Sequence, residues 1–172
     1  MYLDPPSREV AFGHVLKQHQ KAIYYYVRRM VLSHDDADDI TQNTFIKAWK
    51  ALVHFRGDSK ISTWLHRIAY NESINFMEAR KRVHYVSIEN VAEQLGRSLQ
   101  NDVLYNGDEI QIKLQTAMAL LPEKQKAVFI MKYFEEKKYD EIAQITGTSV
   151  GALKASYHHA VTKIEAFLLK QS

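Results

Sequence analysis

The chain has 172 residues, 46% of them apolar and 25% charged, with a formal net charge of +3. That length holds one medium or two small domains, and so mild a basicity does not by itself argue for nucleic acid. The absence of cysteine excludes disulfides, thiolate zinc sites and a cysteine nucleophile. No apolar run approaches the roughly 20 residues of a membrane span, and Met1 to Val10 lacks the basic start and apolar run of a signal peptide. A soluble cytoplasmic protein without membrane insertion is the expectation.

Helical periodicity dominates, and no stretch alternates as a strand does. Ser7 can cap a first helix to about His19, and a second continues to Leu32 through Ile23, Val27, Met30 and Val31. Ser33-His34-Asp35-Asp36 reads as a break and a new N-terminus, with acids where the helix dipole favours them. A third helix, Ala37 to Val53, turns Ile40, Thr44, Phe45, Ala48, Trp49 and Leu52 inward. After a polar loop from His54 to Ser62, a fourth begins near Ser62 or Thr63 and runs to about Arg82. Its inner side carries Trp64, Leu65, Ile68, Ala69, Ile74 and Met77.

From Val83 to Gly107 the periodicity fades, which predicts a linker with room for one short helical piece. Between Ser87 and Glu109 it carries five acids and the single base Arg97, so it should avoid DNA and stay mobile. Asp108 can cap the next helix, Ile110 to Leu121. Pro122 restarts another, Glu123 to Phe134, because proline suits a first-turn position. The fold class is all-α: two small helical domains, 1–84 and 108–172, joined by a flexible linker over 85–107.

Tyr139 to Phe167 has the pattern of a helix-turn-helix. Ala143 is small where two helices cross, Gly147 suits a left-handed turn, and Ser149 can cap the second helix. Val150, Leu153, Tyr157, Ala160, Ile164 and Leu168 form its inner stripe. The outer face, with Gly151, Lys154, Ala155, His158 and Thr162, is acid-free and slim near its start, as entry into a major groove requires. A plain helical hairpin with a solvated face shares this pattern.

Two blocks in the first half carry further chemistry. The helix after Asp36 shows a polar face of Asp35, Asp39, Gln42, Asn43 and Lys47, which an ordinary solvated helix would also show. The block Phe55 to Asn71 joins a glycine-containing polar loop to a helix with His66, Arg67, Tyr70 and Asn71, followed by Arg80-Lys81-Arg82. Aromatic and amide groups beside cations suit single-stranded DNA, whose bases need pockets and whose phosphates need neutralising. A metal-dependent nuclease using Asp35, Asp36, Asp38 and Asp39 or the histidine pair is a competing class. Adjacent His158 and His159, however, project apart, and no i, i+4 histidine pair with a third ligand is present. A self-sufficient helix-turn-helix repressor is the other, and would need paired half-sites.

Asp-Ala-Asp-Asp-Ile-Thr-Gln with the later Phe45 and Trp49, Phe-Arg-Gly-Asp-Ser followed by Thr-Trp-Leu-His-Arg-Ile-Ala-Tyr-Asn, and Leu-Pro-Glu leading into the helix-turn-helix stand in that order. Together they resemble a bacterial RNA polymerase sigma factor of the extracytoplasmic-function type, from about Val10 to Leu168, apart from the linker. The resemblance implies a transcription initiation factor without catalytic residues, metal or cofactor. Its partners would be core RNA polymerase, promoter DNA as duplex and single strand, and an anti-sigma factor.

It implies polymerase binding by Asp36, Asp39, Gln42, Asn43 and Lys47. Minus-ten DNA would fall to Phe55, Arg56, Gly57, Asp58, Ser59, Lys60, His66, Arg67, Tyr70, Asn71, Arg80, Lys81 and Arg82. Minus-thirty-five DNA would fall to Ser149, Gly151, Ala152, Lys154, Ala155, His158, His159 and Lys163. The chain departs from the family at Asn43, where an acid is usual, and at His66 and Tyr70, where tyrosine and arginine are frequent. It departs again at Ala155-Ser156, often Ser-Arg, and at His159 and Val161, often arginines.

Overall fold

The computed structural model describes residues 5–81 and 88–172, and the expectations for Arg82 and for 83–87 fall outside them. Eight α-helices are present among the described residues: α1 Pro5–Val31, α2 His34–Ala51, α3 Ile61–Lys81, α4 Ile88–Gln100, α5 Glu109–Ala119, α6 Glu123–Phe129, α7 Tyr139–Thr146 and α8 Val150–Lys170. A 3-10 turn, Leu52–His54, follows α2, and a π-turn, Ile130–Phe134, follows α6.

The break expected near His19 is absent, because α1 runs unbroken for 27 residues. Phe12, Val15, Leu16, Ile23, Tyr26, Val27 and Met30 pack in or against the core, at helical spacing that passes straight through the half-buried His19. A polar residue on the inner stripe mimics an interruption. Burial lowers the His19 pKa, and neighbouring His66 lowers it further, so the ring sits there neutral more readily than in water.

Ser33 ends the following turn and caps α2, its Oγ accepting from the Asp36 amide at 3.3 Å. α1, α2 and α3 enclose one part of the core through Ile23, Tyr26, Ile40, Phe45, Leu65 and Ala69. Trp64 packs against that core from a partly buried position, its ring 4.9 Å from Phe55.

The segment expected to be mostly irregular contains the 13-residue α4. Gly96, Gln94 and Ser98 dilute its pattern, but Leu95 and Leu99 lie four apart and meet Leu104, Tyr105 and Ile112 in a second apolar cluster. Leu32, in the left-handed region at φ 69, packs on the same cluster. Beyond it, Asp108 caps α5 as expected by accepting from the Ile110 and Gln111 amides. Pro122 takes the position just before α6 rather than inside its first turn.

The two helical units share one core, joined at the C-terminal end of α1. A helix leaves its last carbonyls without intrahelical donors; here the Leu32 and Ser33 amides serve those of Arg28 and Val31, and distant side chains serve the two between. Gln115 Nε2 donates to the Arg29 carbonyl at 2.9 Å, and Lys126 Nζ to the Met30 carbonyl at 3.1 Å. Arg28, only 2% exposed, donates to the Leu32 carbonyl and is ion-paired with Asp102.

Burial lowers the Lys126 pKa from 10.5 to about 8; Glu123 opposes this shift and Lys81 adds to it. A lysine whose folded pKa lies below its unfolded value binds fewer protons folded than unfolded between the two. Stability therefore rises with pH across that window. Burial pushes the Tyr26 hydroxyl well above 10, which works in the opposite direction above pH 10. The wild type should thus gain up to about 2–3 kcal/mol between pH 8 and 10, and Lys126→Met should lose that rise. Parallel denaturant titrations of both proteins across that range measure the difference.

Candidate nucleic-acid interface

α7 and α8 build the first surface. Gly147, at φ 72, donates its amide to the Ala143 carbonyl at 2.9 Å and turns the chain out of α7. Ser149 Oγ then accepts from the Ala152 amide at 3.3 Å and starts α8. Ile142, Ile145, Leu153, Ala160 and Ile164 are buried, which fixes the angle between the helices and the face α8 turns outward. Ser149, Gly151, Ala152, Lys154, Ala155, His158, His159 and Lys163 are all exposed. Lys154 Nζ lies 5.8 Å from the Tyr139 ring centre, and Lys163 Nζ donates to Gln125 Oε1 at 3.0 Å. Neither contact neutralises the cation.

The second surface comprises the loop before α3 and α3 itself. Arg56, Gly57, Asp58 and Lys60 are exposed, with Gly57 at φ 77, while Phe55 and Ser59 are half-buried. Arg67 and Asn71 are exposed on α3. His66 and Tyr70, by contrast, are buried at 5% and 6% exposure. His66 Nδ1 lies 3.1 Å from the Ser62 carbonyl oxygen, and Nε2 lies 3.2 and 3.1 Å from the two Glu135 carboxylate oxygens. Both ring nitrogens thus face acceptors, and only the doubly protonated ring donates to both. Arg80 pairs with Asp36, and Lys81 with Glu123 on α6, each at 2.5 Å.

The third surface lies on α2. Asp39, Gln42, Asn43 and Lys47 are exposed, as is Ile46 between them at 51%. Lys47 pairs with Glu72 on α3, and Asp36 is occupied by Arg80. Among the described residues no cluster of three or more His, Asp or Glu could hold a metal ion, and no helix is long and apolar enough to cross a membrane.

Residues 15–83 match the Sigma-70 region 2 family and residues 111–164 match Sigma-70 region 4. The ECF RNA polymerase sigma factor SigW of Bacillus subtilis is 30% identical over 157 residues, covering 86% of this chain and 83% of SigW. The chain belongs to the extracytoplasmic-function family of RNA polymerase sigma factors. The RNA polymerase sigma-H factor of Pseudomonas aeruginosa is 31% identical over 166 residues, covering 92% of this chain and 86% of that protein.

Two solved sigma factors share the fold at 23% identity and a TM-score of 0.69. One is RpoE of Bartonella quintana in complex with the anti-sigma factor NepR, covering 92% of this chain and 96% of RpoE. The other is CnrH in complex with the cytosolic domain of CnrY, covering 95% and 91%. As an extracytoplasmic-function sigma factor the chain serves promoter-directed transcription initiation and is not a catalytic enzyme.

The sequence reading missed Gln115, Lys126 and Glu135. Each sits in a stretch whose composition suits a solvated surface, and no spacing rule pairs it with residues 69 to 96 positions away. Within the helix-turn-helix, the turn glycine has open space for a methyl group, so a substitution there isolates backbone strain. Gly147→Ala should cost about 1–2 kcal/mol from the left-handed conformation alone. Thermal melts alongside Gly151→Ala, at an exposed helical glycine, measure it.

Proposed function

We propose that the chain divides its work between 1–84 and 108–172, with 85–107 as an acidic connector that stays off DNA. α2 docks on core RNA polymerase through Asp39, Gln42 and Asn43, with Ile46 as an apolar anchor among them. Carboxylate and amide groups there accept charge-assisted hydrogen bonds from arginines of the enzyme. The loop 55–60 with Arg67 and Asn71 captures minus-ten bases after they leave the stack, with Arg80 and Lys81 on the phosphates. α8 reads the minus-thirty-five element as duplex: Lys154 on a guanine edge or phosphate, Ala155 beside a thymine methyl, His158 one turn on.

The exposed face of α8 from Ser149 to Lys163, free of acid and presented on a capped N-terminus, is the observation that carries this reading. Because RpoE and CnrH were solved with anti-sigma factors, an anti-sigma partner is part of the proposal, as is a cytoplasmic place of work beside the polymerase.

Run-off transcription with purified core polymerase, on the promoter upstream of the chain's own gene, tests the whole. Product that depends on the chain is expected, and no product would overturn the reading. Asp39→Ala and Gln42→Ala should weaken core binding in a titration while leaving the melting temperature nearly unchanged, since both side chains are exposed. Lys154→Ala should cost roughly 1–3 kcal/mol of promoter affinity if the amine reads a base, or reduce the salt slope by about one if it holds phosphate. Gel-shift titrations at several salt concentrations distinguish the two.

A further inference from the structure

We infer that the cleft between the ends of α1 and α3, the body of α4 and the start of α6 is a small-molecule site. Its ligand is a monocarboxylic acid with an apolar body, whose head group pairs with Lys126. The inference does not rest on the assignment of any residue to promoter DNA or polymerase.

Size and lining define the body of the ligand. The cleft offers about 530 Å³, within the range of about 300–1,000 Å³ typical of small-molecule sites. Its walls are largely apolar: Met30 and Leu99 are buried, and Phe76, Met77 and Leu95 partly so. Atoms lining an open cleft lack close neighbours on one side, and each methylene that fills it leaves water for that surface.

Charge defines the head group. Arg80, Lys81, Glu123 and Lys126 are the charged side chains of the lining. Arg80 pairs with Asp36, and Lys81 with Glu123. Lys126 is left over. Its ammonium donates to the Met30 carbonyl at 3.1 Å and lies 4.0 Å from the Met77 sulfur, and the residue is only 6% exposed. An ammonium carries three donors, so one has no partner among these groups. Burying such a charge without a counter-charge is costly, and burial accordingly lowers its pKa to about 8. A carboxylate entering the cleft supplies the missing acceptor and the missing charge together. A phosphate would bring a second negative charge to an apolar wall, where desolvation penalises it.

The pairing has a pH signature. A bound carboxylate favours the ammonium over the amine, so binding takes up protons once the free amine has begun to lose its own. Affinity should therefore hold below pH 8 and fall by roughly tenfold between pH 8 and 10. The titratable groups facing Lys126 are Glu123 on α6 and the paired Lys81 and Arg80 on α3; α1, α4 and α5 add none to the lining.

Calorimetric titration of the full chain with octanoate, decanoate and octan-1-ol tests the site. Lys126→Met removes the ammonium and keeps much of the side chain. Ser98→Trp, at an exposed position of α4 on the lining, fills the cleft without touching Lys126. Melting curves establish that each variant is folded. Octanoate should bind the wild type saturably, decanoate about fourfold tighter for each added methylene, and octan-1-ol at least about tenfold more weakly than octanoate. Lys126→Met should bind octanoate no better than octan-1-ol, and Ser98→Trp should bind neither. No saturable binding, or equal affinity of the wild type for acid and alcohol, would overturn the inference. So would octanoate binding that both substitutions leave unchanged. The pH profile needs no substitution: wild-type affinity that stays level from pH 7 to 10 would remove Lys126 as the head-group partner.

Discussion

The C-terminal end of α1 is the constraint on which the remaining arrangement depends. A 27-residue helix delivers to its last turn a row of carbonyls with no intrahelical donors and a partial negative charge. Local chain could have capped them, with a glycine in the left-handed position and a return of amides. Instead local amides serve only two, Leu32 in that conformation donating to the Arg28 carbonyl and Ser33 to the Val31 carbonyl, while the Leu32, Arg29 and Met30 carbonyls take side-chain donors from Arg28, Gln115 and Lys126. Two of these lie beyond the acidic connector. The end of one helix is thereby completed only when the C-terminal domain is in place, which couples the halves of the chain through backbone groups rather than through matched apolar faces alone.

Magnitudes show which forces can sustain that junction. A hydrogen bond from a charged donor contributes about 1.5–3 kcal/mol net, less than the several kcal/mol that burying an ammonium such as that of Lys126 costs. Its contact with the Met30 carbonyl therefore does not offset its own burial, and the surplus comes from the surrounding apolar packing of Met30, Ala127, Val128 and Phe129. Arg28 differs, because its guanidinium has both a carboxylate and a carbonyl. A charge with both kinds of partner is costly to strand, so removing either one costs several kcal/mol, whereas removing the pair together costs less. One junction thus contains a firmly paired cation near the connector and a poorly compensated one between the domains.

Much of this was legible in the sequence. The helix start at Ser33–Asp36, the caps at Asp108 and Ser149, the left-handed Gly147 and the inner stripes of α2, α3 and α8 follow from local rules, because a cap or a stripe is satisfied within a few residues. The errors share a physical origin. His19 looked like an interruption because hydropathy counts the residue and not the geometry that carries α1 through it. α4 was underestimated because two leucines among polar residues suffice for burial once another element covers them. The burial of His66 was not legible either, because it comes from Tyr26 and from Glu135, 69 positions away, and the pairing of distant side chains leaves no periodicity to read.

The π-turn at Ile130–Phe134 has a consequence for how this chain compares with others. The Glu135 amide reaches back to the Ile130 carbonyl at 3.3 Å, which accommodates one more residue than an α-helical turn would. Each residue of an α-helix advances the chain by about 100°, so a single deletion here would swing everything from Glu135 onward around the axis of α6 by roughly that angle. Phe129 and its neighbours would keep their places while the carboxylate moved away from α3. In a sequence such a change is a single missing residue, yet it would separate a chain that carries this acid against α3 from one that carries it elsewhere.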